Sequence, residues 1–293
     1  MFKLQPGDKV GVTSLASFIN KGDIDLGLAY LRSLGLIPVL GKCTYAAWKY
    51  MAGTPQERAR DLMDFFRDDT IKAVFTPRGG GGASFILPHL DYEFIKSHPK
   101  PIFGLSDITA VQNAVYAQSG VSSYSGFLLK YDFKDGAISP MVNESLQNII
   151  SGKPTHYKGG ETVVAGTTEA PLIGGNLTAL NYLYGTPYMP ELRNKILVLE
   201  DIGGKTFWLD LRLEQLRQMP GFNELRGIIF GEFTDCTIID PEDGTIDEII
   251  DNFCTGLSIP VIKHFPYGHI PNRHILPIGK TITLNAEDCT VEF

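Results

Sequence analysis

Several large classes of protein are excluded by what this sequence has little of. Its four cysteines, Cys43, Cys236, Cys254 and Cys289, lie far apart with no C-x-x-C pair. That argues against a disulfide framework or a thiolate zinc site and for free thiols in a reducing cytosol. No stretch reaches the roughly eighteen uninterrupted apolar residues of a membrane helix. The start, MFKLQPGDKVGVTSLAS, lacks the apolar core that a signal peptide carries behind its basic residue. A cytoplasmic protein with no membrane partner is expected. Lysine and arginine form no basic run and the formal net charge is −7, so no nucleic-acid partner is expected either. Repeats and low-complexity tracts are missing. His264, His269 and His274 recur at five-residue spacing, which keeps side chains on one face of neither a helix nor a strand. No H-E-x-x-H or cysteine accompanies them, so no metal and no cofactor is expected.

What the chain does have is length, 293 residues, and a 43% hydrophobic content that supports one large domain or two ordinary ones. Lys9–Ser14 reads as a first strand. A helical stripe of Ile24, Leu28, Leu31 and Leu34 follows and ends at Gly35. Leu36–Leu40 reads as a second strand. Thr54-Pro55-Gln56-Glu57 carries an N-cap, a proline at the first helical position and the acid of a capping box. Ile71–Thr76 reads as a third strand, Arg78-Gly79-Gly80-Gly81-Gly82 follows it at once, and a helix is expected after Ala83. This rhythm predicts an α/β fold with a parallel sheet, in which ligands gather at the carboxyl ends of the strands. The stretch from Gly152 to Ala170, polar and rich in glycine and threonine, reads as the crossing into a second domain. Beyond it, Lys195–Leu199, Gly227–Phe233, Ile259–Ile262 and Thr281–Leu284 read as strands and Trp208–Met219 as a helix.

Ser106 stands where Pro101–Leu105, a short apolar strand, gives way to a helix from Ile108. A serine there is lifted above the sheet end, and the free N–H groups of the next turn face any charge that forms. Gly104 lets the backbone approach closely. The same position suits an ordinary N-cap serine, and Asp107 and Thr109 could take over the capping. The glycine run lacks the Gly-Lys-Ser/Thr of a phosphate loop and the last glycine of a dinucleotide fingerprint. It can be a plain turn or a source of N–H donors for an oxyanion. Glu200 ends an apolar strand and His269 sits in a loop after Gly268. Each has an ordinary surface reading. Together, Ser106, Glu200 and His269 stand in the order nucleophile, acid, base. An α/β-hydrolase elbow, G-x-S-x-G, is not matched, because Ile108 replaces its last glycine.

Short motifs run from end to end: Gly7-Asp8, Ala52-Gly53-Thr54 with Glu57-Arg58-Ala59, Arg78-Gly79-Gly80 with Gly82, and Gly104-Leu105-Ser106-Asp107-Ile108-Thr109. They continue through Gly174-Gly175-Asn176-Leu177, Gly185-Thr186-Pro187, Leu199-Glu200-Asp201, Gly268-His269 and Leu276-Pro277-Ile278-Gly279. In these motifs the chain resembles the LD-carboxypeptidase family of serine peptidases. The resemblance implies an N-terminal parallel-sheet α/β domain, flavodoxin-like or glutamine-amidotransferase-like, over 1–155 and carrying Ser106. A linker over 156–170 and a C-terminal mixed β/α swivelling domain over 171–293, carrying Glu200 and His269, would follow. It also implies catalysis by Ser106, Glu200 and His269, an oxyanion hole from the N–H groups of Asp107 and of Gly80 or Gly81, a homodimer, and a muropeptide substrate cut before its terminal D-alanine. Microcin C immunity peptidases of the same family are the alternative, and a binding protein with an inert triad is the non-enzymatic one. Arg78 is a candidate for gripping the substrate carboxylate or for bracing the glycine turn. Two departures bear on substrate preference: Gly81 stands where the family usually has tyrosine, and Leu105 where an aromatic more often precedes the serine.

Overall fold

The computed structural model describes residues 2–133 and 136–293. Its strands fall into two sheets. The first is built from β1 (Lys9–Val12), β2 (Ile37–Leu40), β3 (Ile71–Phe75), β4 (Ile102–Gly104) and β5 (Ser123–Ser125). These five are mutually parallel in the order β5-β4-β3-β1-β2. That is the flavodoxin-like strand order, whose direction of winding reverses between β1 and β3. Loops leaving the carboxyl ends of β1, β3 and β4 therefore open into one crevice. Residues 14–17, the glycine run and Ser106 all leave from those ends.

Local chemistry sets the helices between these strands. Besides α1 (Asp25–Ser33), the first half has α2 (Pro55–Arg67), which opens with the expected capping box at Thr54 and Glu57. It buries Leu62, Met63, Phe65 and Phe66. Its far end is closed by a device that the hydrophobic pattern does not announce: the buried Lys100 ammonium donates to the carbonyls of Phe65 (2.7 Å), Phe66 (2.9 Å) and Asp68 (2.6 Å). The expected helix after Ala83 is a 3₁₀ segment, Ala83–His89, carrying Pro88 near its end. Then come α3 (Tyr92–Ser97), α4 (Thr109–Ser119), which follows Ser106, and α5 (Pro140–Ser151).

The second sheet draws on β6 (His156–Lys158), β7 (Glu161–Val164), β8 (Thr167–Asn176), β9 (Ile196–Ile202), β10 (Gly227–Thr234) and β11 (Val261–Lys263). After β11 the chain returns to the first sheet, where β12 (Leu276–Ile278) pairs antiparallel with β5. It then completes the second sheet with β13 (Thr281–Asn285) and β14 (Thr290–Glu292). Strands β8 to β11 are parallel and antiparallel strands flank them. Helices α6 (Leu177–Asn181), α7 (Thr206–Arg217) and α8 (Ile246–Cys254) belong to this half.

The segment 156–170, expected as a linker, thus supplies β6, β7 and the start of β8. The glycines at 159, 160 and 166 all have positive φ and cut it into pieces too short for periodicity to reveal. At the start of β8 the alternation is visible afterwards: Thr168 and Ala170 are buried between exposed or half-buried neighbours. None of the helices among the described residues is long and apolar enough to cross a membrane.

Candidate active site

Ser106 follows β4 directly and has φ +68°, the left-handed region that non-glycine residues seldom occupy. It opens a 3₁₀ turn, Ser106–Ile108, ahead of α4. It is therefore not a helix N-cap, which takes extended backbone. Asp107 and Thr109 do not cap α4 either, since their side chains are engaged elsewhere. The surroundings enforce the turn. A Cβ on Gly104 would lie 2.5 Å from Ile108 Cγ2 and 2.9 Å from Thr76 Oγ1, and one on Gly79 would lie 2.6 Å from Ser106 Cβ. Both glycines are required by close approach. Strain held by neighbours in this way is characteristic of functional turns.

Glu200 ends the apolar run of β9 and is completely buried. Its carboxylate accepts from His269 Nδ1 at 2.7 Å and from Asn176 Nδ2 at 3.1 Å. Gly268 makes the contact possible, because with φ +121° its Cα passes so close that a Cβ would lie 2.9 Å from Glu200 Oε2. A carboxylate on Nδ1 fixes the proton there and leaves Nε2 as the basic nitrogen of the ring.

Two sets of contacts bring this pair to the serine. The His269 loop is fastened to the first sheet on either side. Tyr267, fully buried, shares a hydrogen bond of 2.7 Å with Ser125 on β5, and Arg273 donates to Gly126 O (2.8 Å), Ile270 O (2.7 Å) and Asp132 Oδ1 (2.5 Å). Burial pushes the Tyr267 hydroxyl well above its ordinary pKa, so it stays a neutral partner. The second set joins α4 to β8. Asn113 exchanges hydrogen bonds with Gly174 through both its amide atoms, and Asn176 N–H donates to Thr109 Oγ1 at 3.0 Å. Thr109, Asn176, Glu200 and His269 thus form one continuous chain. The structure brings Glu200 and His269 into contact. Among the described residues no hydrogen bond joins His269 to Ser106 Oγ.

On the other side of Ser106, Asp107 Oδ2 accepts from Ala83 N–H at 2.8 Å. Burial pushes this carboxyl up to about 6, against the Ala83 N–H and the Arg58 guanidinium, which pull it down. Of the two glycines expected to donate to an oxyanion, Gly81 has its N–H on Ser17 Oγ at 3.1 Å. The Gly81 N–H is thus engaged, whereas the Gly80 N–H has no hydrogen-bond partner among the described residues. Arg78 is half-buried. Its Nη1 reaches Phe18 O at 3.5 Å, its guanidinium lies over Tyr131, and Nε has no partner among the described residues.

The three histidines go to three different places. His264 faces Asp247 (2.9 Å) and Glu232 (3.5 Å), and His274 stacks on Tyr157 and is pushed down to about 4 by burial. No metal-binding cluster occurs among the described residues. Sequence reasoning gave Thr109 only a capping role and left Arg58, Ser17 and Tyr267 without roles. Arg58 and Thr109 were signalled only by their places in the motifs Glu57-Arg58-Ala59 and Gly104–Thr109.

Comparison with known proteins gives this arrangement a family. The LD-carboxypeptidase N-terminal domain matches residues 10–126 and the LD-carboxypeptidase C-terminal domain matches 169–284. A Bacillus subtilis protein named "Probable murein peptide carboxypeptidase" is 30% identical over 98% of this chain and 92% of its own length. The chain belongs to the LD-carboxypeptidase family. It is accordingly a serine-type carboxypeptidase, a hydrolase. Solved structures of the family agree in fold. A variant of the microcin C7 self-immunity protein MccF in complex with adenosine monophosphate matches with a TM-score of 0.90 and 25% identity, covering 100% of this chain and 97% of that one. The muramoyltetrapeptide carboxypeptidase from Oxalobacter formigenes matches with a TM-score of 0.87 and 25% identity over 97% and 98%. Within this LD-carboxypeptidase, Leu105 is 1% exposed and belongs to the core, so it does not face a ligand. Gly81 lies against the ring of Tyr50, which is about half exposed.

Proposed function

We propose that the protein removes the terminal D-alanine from murein tetrapeptides in the cytoplasm, with Ser106 as nucleophile, His269 as general base and Glu200 as its orienting acid. His269 Nε2 takes the Ser106 proton as Oγ attacks the carbonyl of the last peptide bond. The N–H groups of Asp107 and Gly80 stabilise the resulting oxyanion, each donor contributing about 3 kcal/mol in the transition state. The proton then passes from Nε2 to the leaving amine, D-alanine departs, and an ester remains on Ser106. Water, losing a proton to the same nitrogen, cleaves that ester and restores the serine. The observation that carries this reading is the fully buried Glu200 with His269 on it at 2.7 Å, joined through Asn176 and Thr109 to the helix behind Ser106. Arg78, with donors to spare, is the proposed ligand of the terminal carboxylate.

Residues 1–155 carry the nucleophile and residues 171–293 carry its partners in this reading. A homodimer is part of it, supported by apolar side chains standing out from α7, with Leu211 63% and Trp208 43% exposed. Mass spectrometry of lysine-type and diaminopimelate-type tetrapeptides after incubation tests the activity. Loss of D-alanine from one or both is expected, and no loss from either refutes it. The likeness to MccF favours one second substrate, an aminoacyl sulfamoyl adenosine. Cleavage of that compound with both tetrapeptides intact would select it.

A further inference from the structure

Four successive glycines give the loop after β3 no stiffness of its own, and Gly80 and Gly82 have φ of +114° and +93°. An N–H that stabilises an oxyanion must nevertheless be held in place before the reaction. Two buried, oppositely charged side chains meet at this loop. Arg58, on α2, is 0% exposed and donates from Nη1 to Gly82 O at 2.8 Å and from Nε to Gly53 O at 3.2 Å. Asp107 is 4% exposed and accepts from Ala83 N–H at 2.8 Å. Gly82 C=O and Ala83 N–H are the two ends of a single peptide group.

We infer that Arg58 and the Asp107 carboxylate are positioning residues that clamp the Gly82–Ala83 peptide from its two ends and so set the Gly80 N–H and the Asp107 N–H at a fixed separation. The inference rests on the proposed serine mechanism and adds to it the means by which its oxyanion donors are held. Asp107 joins them directly: its own N–H is one donor, and its carboxylate holds the loop that bears the other. Arg58 secures the opposite wall as well, because Nη1 also donates to Leu15 O, two residues from Ser17. Ser17 N–H in turn donates to Gly79 O at 3.4 Å and Ser17 Oγ receives the Gly81 N–H. Asp107 accepts the first N–H of the 3₁₀ segment Ala83–His89, and Arg58 donates to backbone carbonyls and, from Nη2, to Met51 Sδ at 3.1 Å.

The test compares wild type with Asp107→Ala, Asp107→Asn and Arg58→Lys, measuring kcat, KM, thermal midpoint and inhibition by a peptide boronate, whose tetrahedral adduct places an oxygen at the oxyanion position. Removing the acceptor with Asp107→Ala is expected to lower kcat about 10²-fold, weaken the boronate by the same factor and leave KM within twofold, the pattern of a lost transition-state contact. Asp107→Asn, which keeps a neutral acceptor, recovers part of both. Arg58→Lys, which cannot fork between two carbonyls, falls between. Amide hydrogen exchange at Ala83, faster in Asp107→Ala than in wild type, reads the clamp without reference to activity. The inference is overturned if Asp107→Ala keeps kcat and boronate affinity within twofold, or if Asp107→Asn is no better than Asp107→Ala. A wild-type protein that neither releases D-alanine nor binds the boronate refutes the serine mechanism itself. Ala83 exchange then still shows whether the clamp exists.

Discussion

Gly79→Ala separates the geometry of the site from the stability of the fold. Gly79 is not in the left-handed region, so alanine meets no backbone strain there. The added methyl, however, would lie 2.6 Å from Ser106 Cβ, 2.9 Å from Ser106 Oγ and 3.0 Å from Asp107 N, where ordinary contact begins at 3.4 Å. Relief requires the Ser106 turn and the glycine loop to part by about 0.8 Å, the difference between 3.4 and 2.6 Å. A displacement near 1 Å at reacting groups costs on the order of 10²-fold in rate, or about 2.7 kcal/mol of barrier. Crowding of a packed position costs roughly 1–3 kcal/mol of stability, which leaves a domain of this size folded. A coupled assay of D-alanine release, with a thermal melt on the same sample, is therefore expected to show kcat down about 10²-fold and the midpoint lowered by only a few degrees. Wild-type kcat in a folded Gly79→Ala protein would refute the reasoning that the glycine loop's contact with Ser106 holds the reacting geometry.

Further expectations follow from other contacts. Glu200→Gln keeps the shape of the buried pair but loses the charge that holds the imidazolium, and should lower kcat roughly 10³-fold or more with KM little changed; steady-state kinetics decide. Asp107 titrates near 6 in the folded chain against 3.8 in its reference state, so the folded protein binds the extra proton between these values. Stability contributed by this group is therefore fully present only below pH 3.8 and is lost as pH rises through 6, by about 3 kcal/mol in all for a shift near two units. Urea unfolding at pH 4.5 and 7.5, which spans about 2 kcal/mol of that loss, should show the fall in wild type and not in Asp107→Asn. Lys100→Met strips the donor from three carbonyls at the end of α2 and should cost about 2 kcal/mol in urea unfolding. Its D-alanine release per folded molecule should be unchanged.

The parallel half of the fold was legible because its signals are local. Thr54, Pro55 and Glu57 open α2 by capping chemistry alone, and the strands before Gly79 and Ser106 are apolar runs bounded by turn residues. The second sheet was harder to read. β6 and β7 are three and four residues long and stand at the two edges of the sheet, where β6 buries only Tyr157 and β7 buries no residue. The return of β12 to the first sheet depends on pairing with Ser123–Ser125, which no local pattern encodes. At the site, Ser106, Glu200 and His269 could be named because each ends or follows a strand in a family motif. The φ of Ser106, the diversion of Gly81 N–H to Ser17 and the engagement of Asp107 and Thr109 away from α4 could not. Each depends on which backbone group lies opposite a side chain once the two halves are packed. Leu105 illustrates the same limit: its place beside the serine suggested substrate contact, and packing puts it in the core.

The central claim is that Ser106 is the nucleophile of an LD-carboxypeptidase. Its most direct test is quantitative release of D-alanine from a murein tetrapeptide by the wild-type protein and by Ser106→Ala, side by side and at equal folded concentration. The account predicts release by the wild type and a fall of 10³-fold or more, about 4 kcal/mol or greater, in the variant. Release by Ser106→Ala at a rate near that of the wild type would contradict it.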